Sequence, residues 1–61
     1  MIKKIHEFFR DRYAHVNIQA VDDDDIINLM KQPYMQGLSF EKQMDLLYDY
    51  ILANQLCEVV E

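Results

Sequence analysis

The residues with the most chemistry to offer are acids. Glu41, Asp45 and Asp49 stand four apart. On a helix that spacing sets them in one row, one turn between each. Like charges at this spacing repel by about 0.2–0.5 kcal/mol per pair, and in this stretch only Lys42 is placed to offset them. A row that breaks a local rule without evident gain marks a candidate binding surface, and a basic protein surface is its natural complement. The same row also reads as the solvated face of an amphipathic helix.

Asp22, Asp23, Asp24 and Asp25 form a second group. An aspartate at a helix N-cap accepts a hydrogen bond from a free backbone N–H, and further acids in the first turn complement the helix dipole. That role accounts for two or three of the four. The run does not have the form of a calcium loop, which needs acids at alternate positions, a central glycine and a distal glutamate; here the next acid is Glu41. Asp22 and Asp23 therefore join Glu41, Asp45 and Asp49 as candidate partner-binding residues. Together they would also serve a mimic of nucleic-acid phosphates.

Other chemistry is sparse. His6 and His15 are nine apart with no partner at helical spacing, Cys57 is the single cysteine, and Ser39 and Gly37 are the single serine and glycine. No metal-ligand set, intrachain disulfide or Gly-rich phosphate loop can be read from these, and no cofactor is expected. A catalytic pocket of ~300 Å³ with its supporting shell is rarely built from so short a chain, so enzymatic activity is not expected either. Seven aromatics and three internal methionines exceed what a small domain encloses. Tyr34 and Met35 in a turn, and Tyr50 off the main helical stripe, are candidates for a partner or self-association surface, where such residues concentrate.

Three helices must position these groups. Ile2, Ile5, Phe8, Phe9 and Tyr13 recur at spacings of three and four, predicting a helix over about 2–13, with Glu7–Arg10 as an ion pair at i,i+3. Its basic, apolar character also suits a membrane surface, but without it the domain lacks a core. The aspartate run opens a second helix over about 23–32, ended by Pro33; Gly37 then supplies a positive φ. Ser39 caps the third, over about 39–54, whose stripe is Phe40, Met44, Leu47, Tyr48, Ile51 and Leu52. Lys42 at N3 leaves the capping box incomplete. Between the first two helices, residues 15–21 alternate polar and apolar, which allows a short two-stranded ribbon with 56–60. A loop pinned by Val16, Ile18 and Val21 is the simpler reading. The fold class is thus mainly α: a single small three-helix domain over 1–61, with or without that ribbon.

Of 61 residues, 51% are hydrophobic and the net charge is −5. The charge is uneven. Residues 1–15 carry +2, and the remainder carries two lysines against nine acids, or −7. That sign opposes direct nucleic-acid binding, which depends on a basic footprint, and binding to anionic membranes. The order helix, turn, helix suits a DNA reader, but the acidic row would face the phosphates. No apolar run reaches the ~18 residues of a membrane span. The start Met1-Ile2-Lys3-Lys4-Ile5 is broken by His6, Glu7 and Arg10 before it becomes a leader. A lone thiol then suggests the cytoplasm. Domains this small often need a staple, and with no disulfide or metal in view, homo-oligomerisation is a candidate. The expected function is a small acidic binding module that inhibits, adapts or regulates a protein with a basic surface, of the kind phages and accessory elements encode. The alternatives are a purely structural homo-oligomer and a nucleic-acid mimic.

Overall fold

A computed structural model describes residues 2–59. Among these, three α-helices carry the fold: α1 (Ile2–Arg12), α2 (Asp23–Met30) and α3 (Phe40–Asn54). Single 3-10 turns at Ile18–Ala20 and Pro33–Met35 join them. The Cα radius of gyration is 10.7 Å, against about 10.5 Å for a folded domain of this length.

Local causes set the ends of α2 and the start of α3. In α2, the Asp22 carboxylate accepts from the Asp24 amide at 2.9 Å, and Asp23, Asp24 and Asp25 fill the first turn. Gln32 is extended (φ −63°, ψ 142°), as a residue preceding proline prefers. Pro33 then opens the second 3-10 turn. Gly37 has φ +83°, and a Cβ there would meet nothing within 4 Å; backbone conformation, not space, favours glycine at that position. In α3, Ser39 Oγ accepts from the Lys42 amide at 3.2 Å.

The end of α3 is unusual. Gln55 sits in the left-handed region at φ 51°, ψ 47°. Its amide donates to Leu52 O at 3.3 Å and the Leu56 amide donates to Ile51 O at 3.1 Å. This is the paired-bond pattern of a Schellman stop, which glycine usually occupies.

The core is a single cluster drawn from every element. Ile5 and Phe9 come from α1, Ile26 and Leu29 from α2, and Met44, Leu47 and Ile51 from α3, with Val16, Ile18, Val21 and Met35 from the connections. The helical spacing in each segment therefore faces inward as the sequence predicts. Leu52 departs from the expected α3 stripe: it lies at the stripe's edge and is 39% exposed.

The ribbon does not form among the described residues. Val16 and Val59 make one isolated antiparallel bridge, and residues 18–20 are helical turn instead of strand. The reason is local hydrogen bonding. The amides of Ile18, Ala20 and Val21 donate to the carbonyls of Val16, Asn17 and Ile18, leaving none of them for a ladder. Val16, Ile18 and Val21 all point into the core, as the pinned loop requires. Val60, the remaining apolar position of the expected ribbon, lies outside the described residues.

Candidate functional site

The acidic row of α3 meets the end of α1. Arg12 Nη1 donates to Glu41 Oε1 at 2.8 Å, and the Tyr13 hydroxyl donates to Asp45 Oδ1. His15 Nε2 and the Tyr48 hydroxyl are hydrogen-bonded at 2.7 Å. Positions 41, 45 and 48 follow one ridge of α3. Three consecutive contacts from residues 12–15 thus lie along it like a latch.

Aromatic packing backs these bonds. The rings of Tyr13 and Tyr48 stack with centroids 4.2 Å apart and planes at 12°, and the His15 ring meets both edge-on. One turn back, Phe8 meets Phe40 edge-on at 5.4 Å. Lys4 lies over the Phe40 ring and Arg12 over the Phe8 ring, an arrangement attractive to each cation.

The electrostatics follow from these partners. The hydrogen bond to Asp45, reinforced by burial and by the Asp45 charge, pushes the Tyr13 hydroxyl up to about 12. The Glu41 carboxylate, by hydrogen bond and then by charge, raises the Arg12 guanidinium above its ordinary value. Both groups therefore stay in their donating form at neutral pH.

This geometry corrects the picture of a bare acidic face. Arg12 and Tyr13 answer Glu41 and Asp45, not Lys42. The two partners lie 29 and 32 residues away along the chain, so local spacing gave no sign of them. The repeat of aromatics at Phe8, Tyr13, Phe40 and Tyr48 was the available signal, since it matches one end of α1 to one ridge of α3. Asp49, the last member of the row, is exposed and has no ion pair among the described residues.

The other candidates divide. The Asp22 side chain is engaged as the α2 cap. Asp23, Asp24 and Asp25 are exposed, again without an ion pair among the described residues. Tyr34 and Tyr50 are on the surface at 57% and 37% exposure. Met35, expected beside them, is 0% exposed. The 3-10 turn begun by Pro33 rolls Met35 inward while Tyr34 faces out, and Gln43 Nε2 donates to the Met35 carbonyl at 2.9 Å. Met35 is therefore a core residue. The expected Glu7–Arg10 pair is also absent: Arg10 Nε donates to Asp11 at 3.2 Å.

Among the described residues no three His, Cys, Asp or Glu side chains converge to hold a metal ion. Cys57 is half-buried and free. No helix of the described residues is long and apolar enough to cross a membrane. Comparison of the chain with protein-family models, curated proteins and solved structures gives no match.

Proposed function

We propose that this protein binds a partner protein with a basic surface, as a cytoplasmic inhibitor, adaptor or regulator. The observation that carries this reading is a group of exposed carboxylates with no ion pair among the described residues: Asp23, Asp24 and Asp25 at the head of α2, and Asp49 at the free end of the α3 row. Unneutralised acids of one sign raise the encounter rate with a basic surface. Exposed Tyr34 and Tyr50 are the residue type that anchors such contacts. Glu41 and Asp45 contribute less than their number suggests, because Arg12 and Tyr13 already engage them.

The test is capture from source-cell lysate with the full chain as bait, followed by mass spectrometry. Asp23→Lys/Asp24→Lys/Asp25→Lys and Asp49→Lys variants serve as comparison baits. A specific protein retained by the parent and lost with these variants is the expected result. Equal retention by all baits would contradict the reading.

A second reading is self-association, favoured by Leu52, a large apolar side chain left 39% exposed on α3. For an obligate oligomer, apparent Tm rises with protein concentration. A melting point independent of concentration rejects it.

A further inference from the structure

The Arg12 side chain occupies a seat built by two elements. Its Nη1 donates to Glu41 Oε1 at 2.8 Å, and its Cζ lies 5.5 Å from the centre of the Phe8 ring. A carboxylate beside an aromatic face suits a guanidinium: the fork donates to the oxygens while the flat cation rests against the ring. Lys4 repeats half of this pattern, 5.4 Å from the centre of the Phe40 ring, and Phe8 and Phe40 meet edge-on. The chain's own cations thus cover the aromatic step beside the acidic row.

Two observations make this occupant exchangeable. The Arg12 and Glu41 side chains are 51% and 69% exposed, so a cation from outside reaches the seat through solvent. A pair that exposed favours its closed state by no more than about fivefold. The latch also does not hang on it. Tyr13 engages Asp45 and His15 engages Tyr48 through separate bonds, so the guanidinium can swing out while α1 and α3 stay joined.

We propose that Arg12 is a resident competitor for an arginine of the protein partner. This rests on the reading of the chain as a binder of basic surfaces. A basic segment first meets Asp49, which is exposed with no ion pair among the described residues. Glu41 lies eight residues back along α3, or about 12 Å, a distance that roughly four extended residues span. A segment held at Asp49 therefore presents its next arginine to the seat at high effective concentration. That arginine displaces Arg12 and takes its place between Glu41 and Phe8. The Arg12 contact is autoinhibitory, and a guanidinium opens it better than an ammonium, which has no planar fork to match.

The test is an NMR titration of the full chain with hexa-arginine at low salt, following the Arg12 Nε–Hε signal and the amides of residues 41–49. Arg10→Gln is the charge-matched control, because the Arg10 guanidinium is turned to Asp11 and not to the row. Arg12→Gln is expected to bind hexa-arginine about two- to fivefold more tightly than Arg10→Gln, and Glu41→Gln added to Arg12→Gln to cancel that gain. All of these side chains are exposed, and the same spectra report whether the fold is kept. Hexa-lysine, run alongside, is expected to show a smaller gain. Equal affinity of Arg12→Gln and Arg10→Gln, with binding still weakened by Asp49→Lys, overturns the competitor and leaves the acidic reading standing. An equal gain with hexa-lysine overturns the guanidinium chemistry. No saturable shift with hexa-arginine, or binding that Asp49→Lys does not weaken, overturns the acidic reading and the competitor with it.

Discussion

Two groups of acids in this chain look alike in sequence and differ in the fold. The α3 row reaches out to a partner element: Arg12 and Tyr13, from the end of α1, take up Glu41 and Asp45. The aspartates at the head of α2 answer only to their own helix, through the Asp22 cap and the backbone dipole. Two members of the first group, Glu41 and Asp45, tie α3 to the end of α1. The second leaves charge on the surface. An i,i+4 row of like charges is therefore not by itself a sign of an outside partner, because another helix of the same chain can supply the counter-groups.

The largest effect is expected in the core beneath the Tyr13 ring. Phe9 is fully buried and sits one turn before Tyr13, whose ring lies 5.2 Å away. Phe9→Ala should cost about 3–5 kcal/mol, enough to unfold much of a domain this small, as urea denaturation would show. Survival with a loss under about 1 kcal/mol would mean that α1 is not anchored by its apolar face.

The α2 group is sharpened by Asp22→Ala. Loss of the cap should cost about 1 kcal/mol, whereas Asp24→Asn, which removes an exposed charge from the first turn, should cost no more than about 0.5 kcal/mol. Equal losses would erase the distinction between the capping acid and the free ones.

The latch is also visible in alkaline solution. The Tyr13 hydroxyl is raised from 10.0 to about 12 in the folded chain, so between those values the unfolded chain releases its proton first. Stability contributed by this group is present below pH 10 and falls as pH rises toward 12. Wild type should therefore lose Tm across that interval more steeply than Tyr13→Phe. Parallel curves would mean that Tyr13 is not held by Asp45.

The smallest effect belongs to Arg12 and Glu41. Their side chains are 51% and 69% exposed, and exposed pairs couple by only about 0.2–1 kcal/mol. A double-mutant cycle with Arg12→Gln and Glu41→Gln should fall in that range and shrink as salt is raised. A larger, salt-insensitive coupling would reveal a pair more shielded than this one.

Much of the fold was legible because its causes are local. Asp22, Ser39, Pro33 and Gly37 act on their neighbours, and the inward residues of each helix repeat at spacings the chain displays. What was hidden depends on distance or on rotation. Arg12 and Tyr13 find partners half a chain away, which no spacing rule encodes. Met35 and Tyr34 are adjacent and similar in character, but the turn set by Pro33 rotates one inward and the other out. The alternation at residues 15–21 suggested a strand, yet the amides of Ile18, Ala20 and Val21 close onto carbonyls two and three residues back. Of the candidate site, the α2 aspartates and the exposure of Tyr34 and Tyr50 were readable; the internal engagement of Glu41 and Asp45 was not.

The claim that the α3 row is an internal latch is tested most directly by a double-mutant cycle on Tyr13→Phe and Asp45→Asn, read by urea denaturation. A coupling of about 1 kcal/mol or more is predicted for a hydrogen bond to a charged acceptor at the edge of the core. A coupling indistinguishable from zero would contradict the latch and return Asp45, with Glu41 and Asp49, to the surface as one continuous acidic face.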